Sequence, residues 1–131
     1  MDVKEIKSTA DASFTEMLKH VHVGEQLHHG DLSGPVTDKK FIADGNNYKA
    51  DVLLEGNVVG PSDNIGFEEF LKVVAVGNIL LFGDSSYQVT EKRFNQEGSD
   101  EYSINLSMQQ INKPNWYQRG KLSPTGTKAG S

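Results

Sequence analysis

Residues 79–90 read Ile79-Leu80-Leu81-Phe82, Gly83-Asp84-Ser85-Ser86, Tyr87-Gln88-Val89-Thr90, and this stretch decides the fold class. Two short runs with strand character flank four turn-forming residues, the pattern of an antiparallel hairpin. The same grammar recurs upstream, where Phe41-Ile42-Ala43 and Asp44-Gly45-Asn46-Asn47 lead into a second arm running from Tyr48 to about residue 59. Asp-Gly favours the tight turns that join antiparallel strands. Along that arm Tyr48, Ala50, Val52 and Leu54 alternate with Lys49, Asp51 and Leu53, which makes one face apolar. Gly56 then marks a bulge or a close backbone approach. Downstream, residues 95–101 form a polar loop centred on Gly98. Tyr102, Ile104, Leu106 and Met108 then alternate with Ser103, Asn105, Ser107 and Gln109. This alternation predicts a half-buried strand with an uncharged outer face.

Two helices accompany the strands. Pro61-Ser62-Asp63-Asn64 is a helix-start signal, followed by an apolar stripe of Phe67, Phe70, Leu71 and Val74. Glu68 and Glu69 suit the positive end of the helix dipole, and Gly77 suits the stop. An N-terminal helix is predicted from Phe14, Met17, Leu18 and Val21, with Ser8 or Thr9 as its cap, Asp11 in its first turn and Gly24 as its end. Residues 24–40 are predicted as a loop holding at most a short strand, with a turn at Gly34-Pro35. Residues 112–131 contain Pro114, Pro124 and one bulky apolar pair, Trp116-Tyr117, and are expected to be an extended tail that orders against a partner. No internal repeat is expected. The sum is an α+β chain: an antiparallel β-sheet or small β-barrel with one packed helix, an N-terminal helix and an extended C-terminal arm. Its expected parts are residues 1–40 (helix and loop), 41–111 (β-rich body with a helix at about 65–76) and 112–131 (basic arm).

Length and composition bound the function. At 131 residues, one core is the default. The chain has no cysteine, which removes disulfides, thiolate metal sites and cysteine nucleophiles. No apolar run approaches the ~20 residues of a membrane span, and the N-terminus lacks a signal-peptide segment, so a soluble protein is expected. The net charge of −5 is uneven. Residues 113–131 carry Lys113, Arg119, Lys121 and Lys128 and no acid, which leaves nine basic against eighteen acidic residues, a net of −9, in 1–112. An acidic body disfavours broad nucleic-acid binding.

The chemistry-bearing residues are few. His20, His22, His28 and His29 lie near Glu25 and Asp31, a set that can ligate zinc or iron and that loosely resembles a cupin motif. The spacing departs from that motif, and a polar helix end and loop explains the histidines better. Glu68-Glu69 and Asp100-Glu101 are accounted for by helix capping and by solvation. Asp44-Gly45-Asn46-Asn47 lacks the later bidentate glutamate of a calcium loop. There is no Gly-x-Ser-x-Gly, phosphate loop or His-Glu-x-x-His. No catalytic residue, metal or cofactor is therefore expected. Trp116, Tyr117, Arg119 and Lys121 form an aromatic-basic set suited to a protein interface. The same set is suited to stacking on single-stranded bases.

A run of elements in the second half carries a family resemblance. It passes through Val52-Leu53-Leu54-Glu55-Gly56-Asn57-Val58, a short helix ending in Val76-Gly77, and Ile79-Leu80-Leu81-Phe82-Gly83-Asp84. It continues through Tyr87-Gln88-Val89, Phe94, Gly98 and Tyr102-Ser103-Ile104-Asn105-Leu106-Ser107-Met108. Over about residues 50–111 this resembles the tail protein U family of contractile phages. Gln109 and Gln110 stand where that family's closing strand is followed by basic residues. The resemblance implies a virion component assembled in the host cytoplasm: a tail-tube-associated ring, hub adaptor or tail completion protein. It implies no catalytic residues, and its partners would be identical subunits and other tail or baseplate proteins. Two alternatives stay open, a metal-dependent cupin-like enzyme using the histidines and a single-strand nucleic-acid binder using the aromatic-basic tail.

Overall fold

The computed structural model describes residues 4–112. Its elements are α1 (Phe14–Met17), β1 (Gln26–His29), β2 (Leu32–Asp44), β3 (Asn47–Leu54), β4 (Asn57–Val59), α2 (Phe67–Val73), β5 (Ile79–Phe82), β6 (Ser85–Gly98) and β7 (Glu101–Ile111). The fold is α+β, as the alternation predicts, built on an open seven-stranded sheet ordered β4-β3-β2-β5-β6-β7, with β1 also paired to β2. Both predicted hairpins are present, as β2–β3 and β5–β6. The sheet is mixed, because β2 and β5 pair in parallel through Lys40↔Ile79, Phe41↔Leu80 and Ile42↔Leu81.

Several boundaries differ from the sequence reading, each for a local reason. The N-terminal helix is a single turn capped by Ser13, whose hydroxyl accepts the Glu16 N–H at 3.1 Å. Residues 4–12 carry only Ile6, Ala10 and Ala12 as apolar side chains, too little to bury as a helical face. Residues 26–40, expected as loop, form β1 and most of β2, so a division at residue 40 would cut a strand. Gly56 is a turn residue, with φ of 76° following Glu55 at 52°, and it folds β4 back on β3. Helix α2 ends at Val73, before Gly77, because Val74 is already extended. Residues 95–98, expected as loop, extend β6.

The largest correction is that the chain contains an internal repeat. Residues 14–41 read FTEMLKHVHVGEQLHHGDLSGPVTDKKF, and residues 67–94 read FEEFLKVVAVGNILLFGDSSYQVTEKRF. At an offset of 53 residues, without a gap, 15 of these 28 positions are identical, so both halves of the chain derive from one α-β-β-β unit. The geometry repeats with the sequence. β1 pairs β2 through Leu27↔Gly34 and His28↔Ser33, and β5 pairs β6 through Leu80↔Tyr87 and Leu81↔Ser86, the same register. Gly24, at φ 93°, donates its N–H to the Val36 carbonyl at 2.8 Å, and Gly77, at φ 94°, donates to Val89 at 2.8 Å. Both long hairpins are bulged at a threonine. Thr37 donates its hydroxyl to the Leu53 carbonyl at 3.2 Å, and Thr90 donates to Ser107 at 3.1 Å.

Each unit also ties its helix to its sheet with a lysine. Lys39 donates to the carbonyls of Lys19 (2.9 Å) and Val21 (2.8 Å), just past α1. Lys92 donates to the carbonyls of Lys72 (3.1 Å) and Val74 (2.7 Å), at the end of α2. A cation suits these carbonyls because a helix C-terminus carries partial negative charge. Each ammonium also lies over the ring two residues on, 5.1 Å from Phe41 and 5.3 Å from Phe94.

The first unit packs Leu18, Val21, Leu27, Val36, Val52 and Leu54 into its own core. The second unit's Val74, Leu80 and Val89 occupy the matching places but merge with Phe41 and Ala50 of the first. The join is aromatic. Phe70 of α2 stacks on Tyr48 at 4.1 Å and meets Phe41 edge-on at 5.1 Å. Such pairs contribute about 0.5–1.5 kcal/mol each beyond the area they bury.

Lys39 is fully buried, and burial pushes its pKa down to about 8. A neutral amine still has two N–H groups for the two carbonyls. Lys39→Met is expected to cost about 2–3 kcal/mol at neutral pH in urea denaturation, because two buried carbonyls lose their partner. Lys92→Met, at a half-buried site, should cost about 1 kcal/mol. Between about pH 8 and 10.5 the unfolded chain holds the Lys39 proton that the folded chain has released. The stability of the native protein relative to Lys39→Met should therefore rise across that window and be flat below it.

Candidate functional site

The β6–β7 hairpin is the exposed element of the fold. β5 pairs only with residues 85–88 of β6, so the rest of β6 has β7 on one side and, among the described residues, no strand on the other. β7 ends the sheet. The bulge at Thr90 keeps one face aligned along the hairpin: Lys92 is opposite Leu106, Phe94 opposite Ile104 and Gln96 opposite Tyr102. This is the apolar face that the alternation of β7 predicts, yet it is more open than half-buried. Phe94 is 57% exposed, Tyr102 60% and Met108 39%. Helix α2 covers only its inner end, and its Phe67 and the Phe82 of β5 are themselves exposed. Phe67, Phe82 and Met108 border a cleft of about 310 Å³ floored by Phe70, Leu80 and Leu106, and Phe94 and Tyr102 stand outside it.

The contrast with the first unit is direct. Phe41, Ala50 and Leu54, the counterparts of Phe94, Ile104 and Met108, are fully buried. What buries them is partly α2 and partly the 57–65 linker. β4 pairs with residues 52–54, the Ser62 hydroxyl accepts the Ala50 N–H at 2.9 Å, and Tyr48 and Ile65 exchange two backbone hydrogen bonds of 2.8 Å. The opposite face of the sheet is sealed at its centre by Ile42, Leu53, Ile79 and Leu81. There Lys40 and Asp51, opposite each other in β2 and β3, lie 3.9 Å apart and fully buried.

The structure does not bring the four histidines together. His28 and His29 are neighbours on β1 and so point to opposite faces. The His29 ring stacks on Phe14 at 3.7 Å. His22 is half-buried, its backbone N–H donating to Glu25 at 2.7 Å, and desolvation holds its ring pKa below the ordinary value. His20 is exposed beside Glu16 at 3.4 Å. Among the described residues, Glu16, His20 and Glu69 form one group that could hold a metal ion, but the Lys19 ammonium already bridges its carboxylates. It lies 2.8 Å from Glu16 and 3.4 Å from Glu69. The hydrogen bond from Lys19 holds the Glu16 carboxyl below its usual pKa and raises that of Lys19 in return. Asp44-Gly45-Asn46-Asn47 is the β2–β3 turn, and Asp100-Glu101 is exposed at the β6–β7 turn. Trp116, Tyr117, Arg119 and Lys121 lie outside the described residues. No described helix is long and apolar enough to cross a membrane.

Comparison with protein-family models, curated proteins and solved structures finds no match to this chain. The functional reading therefore rests on the exposed hairpin face and its buried counterpart. Sequence reasoning missed Phe94 as an exposed aromatic residue, although its alignment with the buried Phe41 marks the contrast.

Because Lys19 already supplies the cation between Glu16 and Glu69, zinc should not shift the melting temperature of the native protein. Lys19→Ala leaves the carboxylates facing each other. In thermal melts this variant should be less stable without metal and should gain stability when zinc is added. An equal zinc response in the native protein would count against Lys19 as the resident cation.

Proposed function

We propose that this chain is a structural subunit that works by assembling with identical copies and with other components, in the tail or baseplate of a contractile phage. The observation that carries the reading is the open apolar face of the β6–β7 hairpin: Phe94, Tyr102 and Met108 stand exposed on a sheet whose outer edges are unpaired among the described residues. Exposed strand edges beside exposed aromatic side chains favour association, and a protein that works alone guards them with charge or cover. Ring and tube subunits use such surfaces between copies. The resemblance of residues 50–111 to the tail protein U family supports the virion setting. In this reading Trp116 and Tyr117 anchor contacts to other tail components, with Arg119 and Lys121 meeting acidic neighbours.

Sedimentation and electron microscopy of the concentrated protein should show oligomers, rings or tubes of uniform width. Phe94→Asp should cost no more than about 1 kcal/mol of folding stability, since the side chain is exposed and loses its contact with the Lys92 ammonium, and should lose the oligomers. Removing residues 113–131 should preserve the circular-dichroism spectrum and reduce the assembled fraction. A chain that stays monomeric at every concentration and binds no tail component would refute the proposal.

A further inference from the structure

We infer that a second copy of this chain docks head-to-tail on the β6–β7 hairpin, making the same contact that the second unit makes on the first within the chain. This deepens the assembly reading above by fixing the partner surface. The intrachain contact has three parts. The β5 edge pairs in parallel with residues 40–42 of β2. Phe70 of α2 covers Phe41 and Tyr48. The linker before α2 runs along β3, through β4, Ser62 and Ile65.

Each part has an unused counterpart at the two ends of the molecule. Residues 93–95 of β6, the equivalents of 40–42, have no strand beside them on the β5 side among the described residues. β1, the equivalent of β5, pairs with β2 alone among the described residues. Phe94 and Tyr102, the equivalents of Phe41 and Tyr48, are exposed, and Met17 of α1 holds the place of Phe70. Residues 4–12 hold the place of 57–65, with Ile6 matching Val59, Thr9 matching Ser62 and Ala12 matching Ile65. They form no helix or strand and are exposed throughout, Ile6 to 87%. Within the chain, the segment before α2 reaches back to the preceding unit; the segment before α1 has no preceding unit to reach among the described residues. A neighbouring copy supplies one.

The register follows from the intrachain pairs. Lys40↔Ile79, Phe41↔Leu80 and Ile42↔Leu81 translate to Arg93, Phe94 and Asn95 of one copy beside Gln26, Leu27 and His28 of the next. Val52↔Val59 and Tyr48↔Ile65 translate to Leu106 beside Ile6 and Tyr102 beside Ala12 of the next copy. The second copy thereby adds an N-terminal strand to the β7 edge. The Lys19–Glu69 ion pair between α1 and α2 translates to Lys72 of one copy with Glu16 of the next. The contact is heterologous, so it propagates into a ring if the rotation closes and into a filament if it does not.

The chain has no cysteine, so introduced thiols report contacts cleanly. Full-length Asn95→Cys and His28→Cys proteins are mixed under mild oxidation, and Ile6→Cys with Leu106→Cys in parallel. Disulfide-linked dimers are expected in each mixture, absent when any one variant is oxidised alone, and lost in the first pair when Phe94→Asp is added to the Asn95→Cys chain. Oligomers that form without either crosslink would overturn this geometry while leaving the assembly reading in place. A protein that never self-associates would remove both. Crosslinks that appear only after residues 113–131 are deleted would assign the β7 edge to the chain's own C-terminal segment, and would equally overturn the inference.

Discussion

The contact of Phe70 with Phe41 and Tyr48 is the interaction on which the rest of this molecule depends. A unit of one short helix and three strands has one hydrophobic sheet face and only a turn or two of helix to cover it. The first unit solves half of this problem with its own Leu18 and Val21, which pack over Leu27, Val36 and Val52. The far half of its hairpin, where Phe41, Tyr48 and Ala50 stand, lies beyond the reach of α1. The helix of the next unit fills that place, and burying Phe41 and Phe70 there contributes about 1.5–3 kcal/mol per side chain. The unit is therefore stable as part of a series, in the manner of repeat proteins, where each member closes the face of its neighbour.

The buried lysines follow from the same arrangement. Lys39 and Lys92 do the same local work, holding two carbonyls where a helix stops. Only Lys39 is fully buried, because the second unit covers the aromatic end of the first hairpin and nothing in the described chain covers the second. Burial lowers the pKa of both lysines, and for Lys39 it does so to about 8. A cation kept in such a site is expensive unless its hydrogen bonds are complete. The repeated pair of carbonyls takes two of its N–H groups, and the Phe41 ring lies 5.1 Å from the ammonium.

Much of the fold is legible in the sequence, and the failures share a cause. The hairpins around Gly45 and Gly83, the apolar face of β7 and the stripe of α2 are all visible as period-2 or helical alternation. The β1–β2 hairpin was hidden because Gln26, His28 and His29 replace the apolar Ile79, Leu81 and Phe82 of its counterpart, leaving a polar stretch that reads as loop. The N-terminal helix is overextended in that reading for the converse reason: Val21 continues a helical spacing, but it lies past the end of the single turn, where its carbonyl meets Lys39. Aligning the two halves would have exposed both errors. Hydrophobic periodicity cannot, since it discards the glycines, lysines and threonines that the repeat preserves.

The substitutions between the two units carry their own argument about how the ends are used. On the sheet face away from the helices, the internal junction is apolar, with Ile42, Leu53, Ile79 and Leu81 packed together. At the two outer ends the matching residues are Asn95, Ser107, Gln26 and His28. The helix-side face diverges less: Phe94, Tyr102 and Leu106 keep the aromatic and apolar character of Phe41, Tyr48 and Val52. An end that had become a simple cap would gain from losing its exposed aromatics as well, because a bare Phe94 brings an aggregation hazard and only one ring contact, to Lys92. An end that had to form a permanent junction would keep both faces apolar. One polar and one apolar face, matched at both ends, fit the proposed head-to-tail contact and would make it weaker than the internal junction, whose two faces are both apolar.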